Sequence, residues 1–424
     1  MSTATIETAP VLTHEEKLDR LAEVAVRVGL GLKHGQEMVM TATLDTLPLV
    51  RRITEHAYKA GATLVTTLFA DEESTLLRYQ YGDNKSFDHA AAWLYDGMAA
   101  AYRSGAARLA IAGGNPGLLS EQDPEKVGRA NRAMSAAYRP ALELITRHHI
   151  NWTIVAAATP AWAATVFPGL PSDQAVEKLW DAIFAASRAD KPDPVAAWRE
   201  HDAGLHRRAD LLNQKRYAAL HFKAPGPNDS GTDLTVGLAD DHLWLGGGMT
   251  AGNGQYCIPN MPTEEVFTTP HKDRTEGYVT STKPLSYQGT MIEGIQVRFE
   301  GGRVVEAKAS KGEEVLNQMI GTDDGARRLG EVALVPHSSP IAHSGLLFNN
   351  TLFDENAASH IALGQAYSSC LKNGDHMTPE QLAKLGANDS LIHVDWMIGS
   401  GKMDVDGITA EGNAEPLMRQ GEWV

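Results

Sequence analysis

The sequence predicts an α/β domain of the parallel, doubly wound type over residues 1–210, followed by an α+β domain over residues 211–424. Three observations predict it. A chain of 424 residues is too long for one small core, so two domains are the default. As far as residue 158, strand-like runs alternate with helical periodicity across short breakers, which is the pattern of parallel pairing. From Tyr217 onward short β-type runs replace that alternation, and Glu300-Gly301-Gly302-Arg303 between two of them is a hairpin signal.

Taken in order, residues 1–12 read as a loose lead-in. Thr13 and Glu16 have the form of a capping box, and Leu18, Leu21, Ala22, Ala25 and Val26 then recur at helical spacing until Gly29. Strands are expected over 36–40, 62–69, 107–112 and 151–158, with helices over 47–60, 89–102 and from Asp123 to about 148, where Pro124 fits a first helical position. The loop at 113–117 follows a strand but has neither GxGxxG nor GxxxxGK[ST], so it reads as a turn and not a phosphate cradle. Helical, charged stretches at 173–188 and 192–213 lead to the second half. There the strand-like runs fall at 218–222, 233–238, 243–245, 277–279, 295–300, 304–308 and 329–335.

Apolar residues make up 43% and charged residues 21%, as in a globular protein. With 38 basic and 53 acidic side chains the formal charge is −15, which argues against a nucleic-acid partner and suits ligands with a free amino group. Cys257 and Cys370 lack CxxC or Cys/His spacing, so neither a disulfide framework nor a zinc finger is indicated. The N-terminus has no secretory pattern, and no run of about 18 apolar residues offers a membrane span. A cytoplasmic protein without a membrane partner is expected.

The chemistry concentrates between residues 353 and 399. FDENAASHIALGQAY reads as a helix, with Asp354 and Asn356 as cap-type residues, Glu355 at its mouth, and His360 and Tyr367 about two turns apart on one face. In the run Leu391-Ile392-His393-Val394-Asp395-Trp396 the period of a strand turns His393 and Asp395 the same way, while Val394 and Trp396 pack behind. Two imidazoles and a carboxylate on rigid elements are what a divalent cation needs. Glu265, just past a proline turn, and Glu331, heading the strand-like EVALV, are two more acids that are costly to bury unless paired or cation-bound.

Four blocks, in order, carry a resemblance: NMPTEEVFTTP, LGEVALV, FNNTLFDENAASHIALGQAY and IHVDWMIG. They resemble the signature blocks of the aminopeptidase T family, a group of dinuclear metallopeptidases that includes aminopeptidase S, and the likeness extends over essentially the whole chain. The second domain would then be a metallopeptidase domain. The resemblance implies that Glu265 is a first metal ligand and Glu331 the carboxylate between two metals. It places His360 and His393 on one metal and Asp395 on the other. It further implies that Glu355 lies beside them as ligand or base, that Tyr367 takes part in catalysis, and that the protein is a homodimer.

Such a set suits hydrolysis of peptides from a free N-terminus. Two cations joined by a carboxylate, typically about 3.5–4 Å apart, lower the pKa of a shared water. Tyr367 would steady the oxyanion and Glu355 would carry the proton to the leaving amine. Nitrogen and oxygen donors without thiolate suit Zn²⁺, Co²⁺ or Mn²⁺. The rival reading is a non-haem iron, ring-cleaving dioxygenase, since two histidines and one carboxylate also make a facial triad.

Overall fold

The computed structural model describes residues 12–226, 231–287 and 290–424, so the expected lead-in lies, up to residue 11, outside the described residues. Helix α1 (His14–Val24) begins as its sequence predicts. The Thr13 side chain accepts the Glu16 N–H, and the Glu16 carboxylate accepts the Thr13 N–H, closing the capping box. One wider turn, Ala25–Gly29, ends the element.

Strands β1 (Glu37–Thr43), β2 (Leu64–Ala70), β3 (Ala107–Ala112) and β4 (Trp152–Ala156) form a parallel sheet in the order β2-β1-β3-β4. Met38 and Met40 share a core with α1 and α2 (Leu47–Lys59). Val39, pointing the other way, packs with α4 (Ala92–Arg103) and α5 (Pro124–Thr146). Helices thus cover both faces, as doubly wound connectivity requires. Sequence periodicity did not disclose α3 (Glu72–Tyr81). It buries only Tyr79 and is held by its Asp71 cap, so it has no apolar stripe to read. Helices α6 (Pro160–Val166), α7 (Ser172–Ala186) and α8 (Pro194–Lys215) complete this half.

The second half holds a mostly antiparallel eight-stranded sheet, ordered 303–308, 296–300, 270–280, 232–238, 219–224, 404–408, 414–419 and 422–423. Glu300 pairs with Arg303 across the expected hairpin. Gly301 and Gly302, at φ +54° and +75°, take the left-handed conformations that a tight two-residue turn demands. A four-stranded antiparallel sheet lies against it, ordered His393–Met397, His360–Gly364, Leu329–Leu334 and Val266–Thr268. Val266, Val332, Leu334, Ile361, Leu363, Val394 and Trp396 from one face of this sheet join Leu220, Phe222, Leu234 and Val236 in a common core. Each such burial stabilises by about 1.5–3 kcal/mol.

The parallel sheet also holds the lead into the smaller sheet. The Ile154 N–H donates to Pro259 O at 2.8 Å, and the Met261 N–H donates to Ile154 O at 3.0 Å, so residues 259–261 lie along the edge of β4. Gly29 allows this approach, because a Cβ there would lie 2.3 Å from Met261 Sδ. Cys257 and Cys370 are free and buried. No helix among the described residues is long and apolar enough to cross a membrane.

Candidate metal centre

The register of the four-stranded sheet puts the predicted acids and imidazoles on one face. Glu331 and Asp395 flank Ala362 on either side, and Ala333 lies between Phe267 and His360. Side chains alternate along a strand, so Glu265, Glu331, His360, His393 and Asp395 all project from the face opposite the core. The small Ala333 and Ala362 between them leave space above the sheet.

His360 is therefore a strand residue and not a helical one, which corrects the expectation for residues 353–367. The only helix there is the short Thr351–Asp354, capped by Asn350, and a 3₁₀ turn Glu355–Ala357 follows it. His360–Gly364 is buried on both faces, so its apolar run carries no period that separates strand from helix. Tyr367 lies in the turn beyond the strand and not on a shared helical face with His360. Its ring packs 4.7 Å from that of His393. Asp354 caps nothing downstream. Its buried carboxylate accepts the N–H groups of Phe348 and Asn350, and burial pushes its pKa up to about 6 against those bonds.

Two sets of donor atoms converge, and Glu331 belongs to both. His360 Nε2 lies 3.2 Å from Glu265 Oε2 and 3.4 Å from Glu331 Oε1. His393 Nε2 lies 3.6 Å from Glu331 Oε2 and 3.4 Å from Asp395 Oδ1. The imidazoles, expected on one cation, thus fall in different sets. In each ring Nδ1 is engaged by a backbone carbonyl, Ala358 O at 3.1 Å for His360 and Gln365 O at 2.7 Å for His393. That bond directs Nε2 into the site.

The residues fit divalent cations. Glu265 Oε2 and Asp395 Oδ1 are buried without a hydrogen-bond partner, an expensive arrangement that a cation relieves. Burial, reinforced by Asp395 and Glu265, lifts Glu331 to about 7 despite the opposing pull of His360. Burial disfavours charge on both imidazoles, yet the adjacent carboxylates outweigh it. Glu265 and Glu331 hold His360 well above its ordinary value, and Asp395 and Glu331 hold His393 at about 9. Asp395 is lowered, because His393 overcomes its burial. The raised values show a strong local negative field, which a divalent cation would neutralise more fully than protons do.

Glu355 stands outside both donor sets but inside their field. Burial, then Glu265 and Asp395, push it well above the usual carboxylate range. The Tyr367 ring is 45% exposed, while desolvation and the surrounding carboxylates raise its hydroxyl. Glu355 and Asp395 also wall a pocket of about 100 Å³ with Pro284, Leu285, Ser286 and Met397.

Sequence reading missed the supports of Glu265. Arg188, at the end of α7, makes a buried two-pronged ion pair with Glu264 at 2.8 and 3.0 Å and stacks on Trp198. The Glu264 N–H donates to Asn356 Oδ1 at 2.7 Å, and Asn356 Nδ2 donates to Leu352 O. One amide therefore joins the loop that carries Glu265 to the turn that carries Glu355. No local spacing signals these contacts. They depend on chain segments 76 and 92 residues apart.

The chain as a whole has clear relatives. Aminopeptidase T of Thermus thermophilus is 54% identical over 97% of this chain and 99% of its own length. Aminopeptidase 2 of Geobacillus stearothermophilus is 45% identical over 96% and 98%. The solved structure of wild-type AmpT from Thermus thermophilus superimposes with a TM-score of 0.91 at 53% identity, covering 97% of this chain and all of that one. None of these findings supports the dioxygenase alternative, and a facial triad has no use for Glu265 or a shared Glu331. The thermophilic metalloprotease (M29) family matches residues 14–423, and this chain belongs to it.

Proposed function

We propose that this metal-dependent aminopeptidase works through two divalent cations per chain, Zn²⁺, Co²⁺ or Mn²⁺, with Glu331 shared between them. Glu265 and His360 complete one ligand set, and His393 and Asp395 complete the other. The observation that carries the reading is Glu331 itself, whose two oxygens face two different imidazoles. With Glu355, four carboxylates offset the charge of two dications.

Bound cations would supply Lewis acidity and lower the pKa of a water towards neutrality. The chain's own groups do the rest. The Tyr367 hydroxyl, whose raised pKa keeps it protonated, donates to the scissile carbonyl oxygen as that oxygen becomes negative. Glu355 holds the proton taken from the attacking water and returns it to the leaving amine. The acidic walls attract the substrate ammonium, which favours a free N-terminus. We further take the two domains to divide near residue 210 and the enzyme to be a cytoplasmic homodimer.

The test is metal counting together with hydrolysis of Leu-p-nitroanilide and its N-acetylated twin, after chelation and re-addition of each cation. About two ions per chain, activity that returns with them, and cleavage of the free amine alone are expected. One ion at full activity refutes the paired site. Equal cleavage of the acetylated twin refutes the exopeptidase role.

A further inference from the structure

Resting on that reading, we infer that the pocket beside the metal centre is the subsite for the side chain of the substrate's first residue, and that it selects medium aliphatic side chains. Strand geometry places it there. His393, Asp395 and Met397 alternate along one strand and project from the same face, so Met397 is the next side chain outward from the donor groups. The segment before Leu285 runs alongside, with the Thr282 N–H donating to Met397 O at 2.9 Å. Pro284, Leu285 and Met397 make an apolar floor, Glu355 and Asp395 close the end nearest the donor groups, and the rest of the lining, including Asn349, Asn350, Thr351 and Asp354, is polar.

The division of the lining matches a free N-terminal residue. Its ammonium would face the carboxylates of Glu355 and Asp395, its carbonyl would reach the centre, and its side chain would lie on the apolar floor. Leu285 and Met397 are 7% and 4% exposed, so this floor is built into the fold. At about 100 Å³ the pocket is smaller than the roughly 150 Å³ cavity that takes up benzene. A pocket of that size holds the side chain of Val, Leu or Met more completely than an indole, which would protrude from it. Methionine in such a wall adapts to branched and unbranched chains alike.

The experiment compares kcat/KM for Ala, Leu, Met and Trp p-nitroanilides on the metal-loaded full chain and two variants that change the pocket in opposite senses. Hydrophobic subsites discriminate one methylene by roughly 10–200-fold. The wild type should therefore prefer Leu to Trp by at least about tenfold. Met397→Ala enlarges the floor and should raise the Trp/Leu ratio about tenfold or more. Ser286→Phe, at an exposed position on the rim, fills the pocket without disturbing the buried strand, and should lower Leu about tenfold relative to Ala. Calorimetric binding of free L-leucine and L-tryptophan should follow the same order without turnover. The inference is overturned if both variants change all substrates in parallel at unchanged metal content, or if Trp matches Leu in the wild type. Failure of the wild type to cleave any of the four would instead sink the aminopeptidase reading itself.

Discussion

Loading the metal centre should expel protons, and the imidazoles set the number. In the metal-free protein burial disfavours charge on His393, but Asp395 and Glu331 override it and hold the ring at about 9. A cation needs the neutral ring. At pH 7 that is two pH units below the pKa, so deprotonation costs about 2.7 kcal/mol and lowers affinity about 100-fold. His360 is raised as well and contributes a second proton. Filling both positions near pH 7 should release about two protons per chain from the rings, with about half of a third from Glu331, whose pKa lies near that pH. Affinity should climb steeply from pH 6.5 and level off above about 9. The assay is calorimetric titration of the chelated protein with Mn²⁺ or Zn²⁺, in pairs of buffers that differ in ionisation enthalpy. Release of fewer than one proton per chain at pH 7, or pH-independent affinity, refutes the assignment. The sign carries over to stability. A ring raised from about 6.5 to about 9 stabilises the metal-free fold by about 3 kcal/mol below pH 6.5, and loses that as pH passes 9. The chelated protein should therefore lose melting temperature across this window, and the loaded protein should not show this slope.

Three further outcomes are expected. Tyr367→Phe keeps the ring against His393 and removes the hydroxyl, so kcat should fall by roughly 10²–10³ with metal content and KM nearly unchanged; a large rise in KM alone would refute the oxyanion role. Glu264→Gln leaves Arg188 buried without its charge partner, and should cost about 3–5 kcal/mol in denaturant unfolding and weaken metal retention; a cost below about 1 kcal/mol refutes it. Trp162→Ala removes an indole packed against Phe348 and Phe353 and orphans Phe348 O, which accepts its N–H at 2.6 Å; a loss of about 3–5 kcal/mol is expected by the same measurement.

Much of the fold was legible because its periods were clean. The four parallel strands and the His393–Met397 strand each show alternation or bounded apolar runs, and the helix caps at Thr13 and Asp123 follow local chemistry. Among the elements that were not legible, two failed for opposite reasons. His360–Gly364 is buried on both faces and has no period, while Glu72–Tyr81 is exposed nearly all round and has no stripe. The candidate ligands were singled out by residue type and local setting, and the resemblance of four short blocks gave them their roles. Their meeting depends on strand register, which spacing along the chain does not encode. Arg188, Asn356 and Met397 stayed hidden because their parts are defined by neighbours far away in sequence.

The amide of Asn356 has a wider consequence. It grips the backbone one residue from Glu265 while belonging to the turn of Glu355, which also borders the pocket. A guest settling against that turn would act on the same loop that carries Glu265, a proposed ligand of the ion. By reciprocity, tight seating of the amino-acid guest should tighten the grip on the ion, and an emptied ion position should slacken the grip on the guest. Dissociation constants for the two are then joint properties, each meaningful only at a stated occupancy of the other.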